Sequence, residues 1–130
     1  MKNKLDAMID VETLGITERA LIVEIGLLLF DRNNGKIQSE HLFKIDLMSY
    51  EEYDNKFNMD ISTVLFWINQ SKIAQDKVFK DNSRGCKVKD VFFDVNILLK
   101  DTNCMWCHPS FDYKMFEHHL RVFKIPSNMP

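Results

Sequence analysis

The hydrophobic and polar positions divide the chain into a strand-like first half and a helical second half. Apolar residues run almost unbroken through residues 20–31, which is typical of a central strand buried on both faces. Shorter apolar stretches at residues 5–11 and 36–46 flank that segment. Asn34 and Gly35 tolerate positive φ angles and therefore favour a hairpin turn at residues 32–35. The first half predicts a three-stranded antiparallel meander.

Helical spacing dominates the second half. Residues 87–100 carry apolar side chains at i, i+3, i+4 and i+7, the pattern of a helix with one buried face. The other predicted elements are a loop over 47–58, a helix starting at 60–63 with Asp60 or Ser62 as N-cap, a helix over 71–80 capped by Ser71, a turn at 82–85, a short strand within 103–108, and a helix that opens at Pro109-Ser110. This order of elements predicts an α/β or α+β fold class with a mixed sheet.

Composition is that of one ordinary globular domain. The 130 residues are 45% hydrophobic and 28% charged. A chain of this length can bury a hydrophobic core without disulfides or a structural metal. Seventeen basic against nineteen acidic residues give a formal net charge of -2, so any nucleic-acid contact must be local. The most apolar segment is too short to span a bilayer. Three cysteines, an odd number, favour a reducing compartment. We therefore expect a cytoplasmic protein that does not contact the membrane.

A pair of carboxylates at the end of the first predicted strand is the sharpest chemical signal. Asp10 and Glu12 are two residues apart, so a strand places both side chains on one face of the sheet. A divalent cation bound between the two carboxylates would replace their mutual repulsion with attraction to the cation, and Mg²⁺ and Mn²⁺ prefer carboxylate oxygens. Taken alone, an Asp-x-Glu triplet is more often a solvated strand end.

A third acid strengthens the metal interpretation. Asp112 lies in the first turn of the last predicted helix, just after the short strand within 103–108. A helix that starts beside the end of the first strand would bring Asp112 to Asp10 and Glu12. The ordinary explanation is that an acid in a first helical turn complements the helix dipole. That explanation accounts neither for the flanking Phe111 nor for the pairing with the two other acids.

Three ordered blocks of this sequence resemble the DnaQ-like, or DEDD, 3'-5' exonucleases of the ribonuclease H-like fold. Within that superfamily the chain is most similar to phage-type exonuclease A and to related exoribonuclease-like domains. The blocks are MIDVETLGITERALIVEIGLLLFD at residues 8–31, the helix at 62–71, and the segment from Trp106 to Asp112. The resemblance implies a mixed sheet, with the antiparallel meander extended by parallel strands and flanked by helices.

The resemblance also implies a reaction and a site. The reaction is hydrolysis of phosphodiester bonds at the 3' ends of single-stranded DNA or RNA, with two Mg²⁺ or Mn²⁺ ions that stabilise the attacking and leaving oxygens. Three acids would bind the metals and carry catalysis, namely Asp10, Glu12 and Asp112. Four residues would line the substrate site, namely Thr13, Leu14, Phe111 and His108. Trp67 could also stack on a base, although a tryptophan on a helix face is more often part of the core.

The chain departs from the family pattern after Asp112. DEDD exonucleases carry a third motif, His-x-x-x-Asp or Tyr-x-x-x-Asp, which supplies the last acid and the general base. No Asp follows Asp112, and we interpret His118 and His119 as partly exposed helix residues. Three explanations stay open: an N-terminal fragment of a longer exonuclease, a shortened member that has lost catalysis but still binds nucleic acid or a protein, or a chain whose partner donates the missing acid.

These alternatives set the remaining expectations. We expect one exonuclease-like domain over residues 1–130, incomplete at its C-terminus, so that apolar surface is left exposed. Such surface would favour a homodimer or a partner chain on the truncated side. If the protein is phage-encoded, it would act in the host cytoplasm.

The cysteines raise a separate question. Cys104 and Cys107 have C-x-x-C spacing, but a structural zinc site needs four ligands and the only other cysteine is Cys86. On a strand, Cys104 and Cys107 would point to opposite faces. We predict core cysteines rather than a zinc or redox site.

Overall fold

A four-stranded mixed sheet organises the computed structural model, which describes residues 5–80, 85–108 and 111–130. Its strands are β1 (Asp6–Thr13), β2 (Ile22–Asp31), β3 (Lys36–Lys44) and β4 (Met105–Trp106), in the order β3-β2-β1-β4. β2 runs antiparallel to both β1 and β3, and β4 runs parallel to β1. The predicted meander and mixed α/β class are confirmed, and the arrangement is consistent with a ribonuclease H-like fold.

One face of the sheet carries the core. Ile25, Leu27 and Leu29 alternate along β2 and are buried, as the period of a strand requires. Helices α3 (Val88–Leu99) and α4 (Asp112–Val122) supply the opposing layer, with Phe92 and Phe116 fully buried between the helices and the sheet. This face positions α4, and with it Asp112.

Two short helices lie between β3 and α3. In α1 (Ile61–Ile68), Asp60 is the N-cap residue, but its carboxylate accepts a hydrogen bond from the Ile16 N–H at 2.8 Å instead of capping the helix. In α2 (Lys72–Phe79), the Ser71 side chain caps the helix through the Ala74 N–H at 3.1 Å, as predicted. None of the helices in the described ranges is long and apolar enough to cross a membrane.

Two predicted features fall on residues that the structure leaves out. The turn at residues 82–85 lies outside the described part of the chain except for Gly85, and so does the helix start at Pro109-Ser110. The three cysteines do lie in the described ranges and are free. Cys104 and Cys107 are half-buried beside β4, with Cys107 packed against the core, and Cys86 is exposed.

The prediction of a loop over residues 47–58 is wrong. Leu47–Lys56 forms a kinked 3₁₀ segment, whose first turn is capped by the Asp46 carboxylate through the Met48 N–H at 3.1 Å. Its polar side chains face solvent while Tyr50 turns inward and is buried. Tyr50 is the one buried residue of the segment, and a single buried residue does not produce the apolar spacing by which a helix is predicted from sequence.

The interpretation of His119 as partly exposed is also wrong, whereas His118 is indeed half-buried. His119 is fully buried, because the helical spacing puts it on the same face of α4 as Met115 and Phe116. Its Nδ1–H donates to the Met115 carbonyl at 2.7 Å, and its Nε2 accepts from the Tyr50 hydroxyl at 2.8 Å. Both ring nitrogens are therefore paired, which makes burial of the neutral ring tolerable.

Burial of His119 predicts acid sensitivity. Burial lowers the pKa of His119 from 6.5 to about 3, so the folded protein keeps this ring neutral at a pH where the unfolded chain protonates it. The contribution of His119 is fully present above pH 6.5 and is lost as the pH falls towards 3. We expect the free energy of unfolding to fall by up to about 1.4 kcal/mol per pH unit below pH 6.5. Urea unfolding between pH 7 and 5 measures this slope. It should flatten in His119→Gln and persist in His118→Gln, and equal slopes in wild type and His119→Gln would contradict the assignment.

Candidate active site

Asp10 and Glu12 lie at the end of β1, on the face of the sheet opposite the core. Asp10 is exposed and pairs across the ladder with Gly26, whereas Glu12 is half-buried and pairs with Glu24. Because Gly26 has no side chain, the surface beside Asp10 is a shallow groove. The predicted placement of both acids on one strand face follows directly from their spacing.

Asp112 reaches the same region through the parallel pairing of β4 with β1. The register pairs Ala7 with Met105 and Met8 with Trp106. Because the two strands are parallel, their carboxyl ends lie at the same end of the sheet. Asp112 is the first residue of α4 and is buried. Its Oδ2 accepts a hydrogen bond from the His108 N–H at 3.2 Å, which fixes the carboxylate between the end of β4 and the start of the helix.

Repulsion links the three acids. Burial, followed by the charges of Asp10 and Glu24, raises the pKa of Glu12 above its usual value, and Lys77 partly opposes this. Burial also raises the pKa of Asp112, with Asp10 adding to the increase and His108 opposing it. The charge of Asp10 therefore contributes to the raised pKa values of both Glu12 and Asp112.

The donor chemistry of this cluster fits a hard divalent cation. A cation bound near Glu12 and Asp112 would offset the repulsion that Asp10 exerts on each of them, and carboxylate oxygens are the ligands that Mg²⁺ and Mn²⁺ prefer. The three carboxylates do not form a ready-made metal site. Within residues 5–80, 85–108 and 111–130, no three His, Cys, Asp or Glu side chains are already gathered into a metal-binding group.

Thr13 leads from the acids to Leu14, which lines a large open cavity of about 980 Å³. Leu14 is buried and lines the cavity, together with Trp67 and Phe79, whose rings meet edge to face with centroids 5.3 Å apart. The Trp67 indole N–H donates to the Thr13 carbonyl at 3.0 Å, so α1 is tied to the chain just after Glu12. Trp67 is therefore half-buried: it lines the cavity, and it also packs against the small apolar cluster of Leu14, Val23 and Val78.

Phe111 and His108 flank Asp112 on its other side. Their rings lie 4.7 Å apart between centroids, with His108 exposed and Phe111 half-buried against the core. The two rings form one edge of the site next to the Asp112 carboxylate. Their predicted role in contacting substrate stays a prediction.

Sequence reasoning missed two residues that shape the electrostatics of the site, Glu24 and Lys77, and the indole contact by which Trp67 is held at Thr13. Glu24 faces Glu12 across the ladder and is paired with Lys44 at 3.0 Å between Nζ and Oε1. Lys77 on α2 lowers the pKa of Glu12. Glu24 could have been found by counting residues across the antiparallel pair. Lys77 and the Trp67 indole contact carry no local signal, because α1 and α2 reach β1 only through tertiary packing.

The sheet face that carries the acids leaves apolar side chains exposed next to them. Met8, Leu42 and Trp106 are about half exposed or more, and Met8 and Leu42 line the groove beside Asp10. Contiguous exposed apolar side chains of this kind are typical of an interaction surface. What covers it stays a prediction.

A family model described as a 3'-5' exoribonuclease Rv2179c-like domain matches residues 5–130. No curated protein and no solved structure matches the chain. The matched span contains every residue that sequence reasoning placed in the site.

Proposed function

From its membership of the Rv2179c-like 3'-5' exoribonuclease domain family, we propose that the chain hydrolyses phosphodiester bonds at the 3' ends of single-stranded RNA. The chain belongs to this family, which lies within the DnaQ-like exonuclease superfamily. Membership confirms the superfamily that the sequence resembles. The observation that carries the proposal is the cluster in which Asp10 acts electrostatically on both Glu12 and Asp112. Three acids at one sheet edge are the chemistry that phosphodiester hydrolysis with divalent cations requires.

Divalent metals are general in this superfamily, and we propose Mg²⁺ or Mn²⁺ as the cofactor. Asp10, Glu12 and Asp112 would hold it, and when bound it would supply positive charge for the phosphate and an acidified water. The chain's own contribution is positional. The His108 N–H orients the Asp112 carboxylate, and Lys77 limits the charge around Glu12.

The cavity next to the acids suits the terminal nucleotide. Leu14, Trp67 and Phe79 offer an apolar and aromatic wall on which a base can lie, a contact worth about 1–3 kcal/mol per stacked base. Lys72 and Lys80 also line the cavity and suit a phosphate. We propose that Thr13 and Leu14 contact the last nucleotide from the acid side, and that His108 and Phe111 border it at Asp112.

The second candidate is an exonuclease-like module that binds RNA or a protein without cleaving. One observation favours it: no preformed three-residue metal group occurs within the described ranges. The two candidates differ in turnover and not in binding.

A cleavage assay separates the two candidates. RNA and DNA oligonucleotides of one sequence, labelled at the 5' end, are incubated with Mg²⁺ or Mn²⁺ and then with a chelator. We expect a ladder that shortens from the 3' end of RNA, needs the metal and disappears in Asp112→Asn. Faster shortening of DNA would correct the substrate. Folded protein that binds RNA without shortening it would establish the second candidate.

The Trp67 contact predicts a change in substrate affinity. Trp67→Phe keeps an aromatic wall but removes the N–H that holds the Thr13 carbonyl. Loss of one such hydrogen bond is worth about 1 kcal/mol, so we expect KM to rise roughly fivefold with kcat nearly unchanged. Titration of the protein with a nucleoside monophosphate should show the same loss. Phe66→Leu, which alters the exposed neighbour of Trp67, is the control, and an equal effect of both variants would argue against a specific role of the indole.

A further inference from the structure

Asp6 is a buried carboxylate at the opposite end of β1 from the candidate metal ligands. Its side chain is fully buried, although the alternation of β1 puts it on the same sheet face as the exposed Met8 and Asp10. Within the described ranges, Asp112 is the one other acid that is buried. A buried carboxylate is costly unless its oxygens are paired, so the partners of Asp6 indicate what it does.

The Asp6 carboxylate is paired through one oxygen. Its Oδ2 accepts a hydrogen bond from the indole N–H of Trp106 at 2.9 Å and lies 3.7 Å from Nε of Arg32. Its Oδ1 is buried, and no donor among the described residues reaches it. One unpaired buried oxygen does not favour stability, since an apolar side chain of similar size would be buried there at a lower cost. The bond to Trp106 is therefore the feature that distinguishes Asp6 from an ordinary core residue.

Trp106 lies in β4, the short strand that leads to Asp112. Its side chain is 47% exposed, so water could pair with the indole N–H if Asp6 were replaced. Two residues later, the His108 N–H donates to Oδ2 of Asp112 at 3.2 Å. The two buried acids thus hold one segment, residues 106–108, Asp6 through a side chain and Asp112 through the backbone. A fixed Trp106 sets where the His108 N–H meets Asp112.

We propose that Asp6 is a positioning residue, whose bond to the Trp106 indole aligns β4 with β1 and thereby places Asp112 near Asp10. This role rests on the proposed function, because Asp112 reaches the proposed metal cluster from a separate element. Asp6 itself touches neither metal nor substrate, since it is the first residue of β1 and the acids lie towards its end. Misplacing a reacting group by about 1 Å can lower a rate on the order of a hundredfold, so one supporting bond can matter.

Substitutions that remove or keep the acceptor test this role. Asp6→Leu removes the acceptor and fills a similar space, and we expect kcat to fall by about tenfold or more while the midpoint of urea unfolding stays level or rises. Asp6→Asn keeps an oxygen for the indole and should retain most of the activity. Arg32→Met is the matched control, because it takes the cation away from the buried charge and should lower stability while cleavage persists. A merely structural Asp6 would instead lose stability and activity together.

A spectroscopic measurement tests the link to Asp112 without the reaction. In amide NMR spectra, the backbone N–H signal of His108 should shift in Asp6→Leu and stay in place in Asp6→Asn and Arg32→Met. Trp106→Phe should shift it too and lower kcat by a similar factor. Combining Trp106→Phe with Asp6→Leu should add little, because both changes break the same bond.

Three results would each overturn the proposal. They are an unmoved His108 signal in folded Asp6→Leu, equal losses of activity in Asp6→Asn and Asp6→Leu, and additive losses in the double variant. If the wild-type chain does not cleave RNA, the proposed function fails, and the His108 signal still decides whether Asp6 positions the segment that holds Asp112.

Discussion

Asp10→Asn should abolish 3'-end cleavage while leaving the fold slightly more stable at neutral pH. Burial is the main cause of the raised pKa values of Glu12 and Asp112, and the charge of Asp10 adds to both, so removing that charge relieves repulsion in the folded protein. The same change removes the exposed ligand of the proposed metal cluster. We expect a loss of rate of at least about a thousandfold, since the charge that stabilises the reacting phosphate would no longer be held there.

Three measurements check this prediction together. Cleavage should be lost, the midpoint of urea unfolding should rise slightly, and the pKa values of Glu12 and Asp112 should move down towards those of ordinary carboxylates in an NMR titration. Glu40→Gln is the control, because Glu40 lines the same groove but contributes to neither pKa shift. Retained cleavage would remove Asp10 from the mechanism. Unchanged carboxylate pKa values would show that the acids are farther apart than the structure has them.

Tyr50→Phe should be among the most destabilising conservative changes in the chain. The Tyr50 hydroxyl accepts from the Ile22 N–H at 2.9 Å and donates to Nε2 of His119 at 2.8 Å, in a fully buried setting. Removing one oxygen atom leaves both partners buried and unpaired. At about 1–3 kcal/mol for each unsatisfied group, we expect a loss of roughly 2–4 kcal/mol in the free energy of unfolding.

Tyr53→Phe is the matched comparison for Tyr50→Phe. Tyr53 lies in the same 3₁₀ segment and the same aromatic cluster, with its ring 4.9 Å from that of Phe123 between centroids, but it is only half-buried. Its loss of a hydroxyl should cost little. Urea unfolding of the two variants at pH 7 gives the comparison, and similar small losses would mean that the buried hydroxyl pairing contributes little.

The sheet and its acids were predictable because their signals are local. The unbroken apolar run of β2, the Asn-Gly turn and the i, i+2 spacing of Asp10 and Glu12 each depend on a few neighbouring residues. Asp112 needed one further step, a parallel strand that ends beside β1, and β4 supplies it. The roles of these acids, and of the four substrate residues, stay predictions.

The errors have a common physical cause. His119 and Tyr50 are polar residues in polar stretches, and each is buried because it pairs with a residue 69 positions away. The 3₁₀ segment has no apolar periodicity. The helical spacing of His119 does place it on the buried face of α4, but the spacing does not show the partner that pairs with its ring. The same holds for Trp67 and Lys77, which approach β1 from α1 and α2.

The shortness of β4 sets a limit on how long the three acids stay together. Among the described residues, Met105 and Trp106 alone extend the sheet beyond β1. The Ala7 N–H donates to the Cys104 carbonyl at 2.9 Å, and the Trp106 indole N–H donates to Asp6 at 2.9 Å. An edge pair of this length opens by local fluctuation far more readily than the core unfolds. Each opening releases the segment that leads to Asp112 while β1 keeps Asp10 and Glu12 in place. Activity should therefore fade on warming before the molecule melts, with the core still intact.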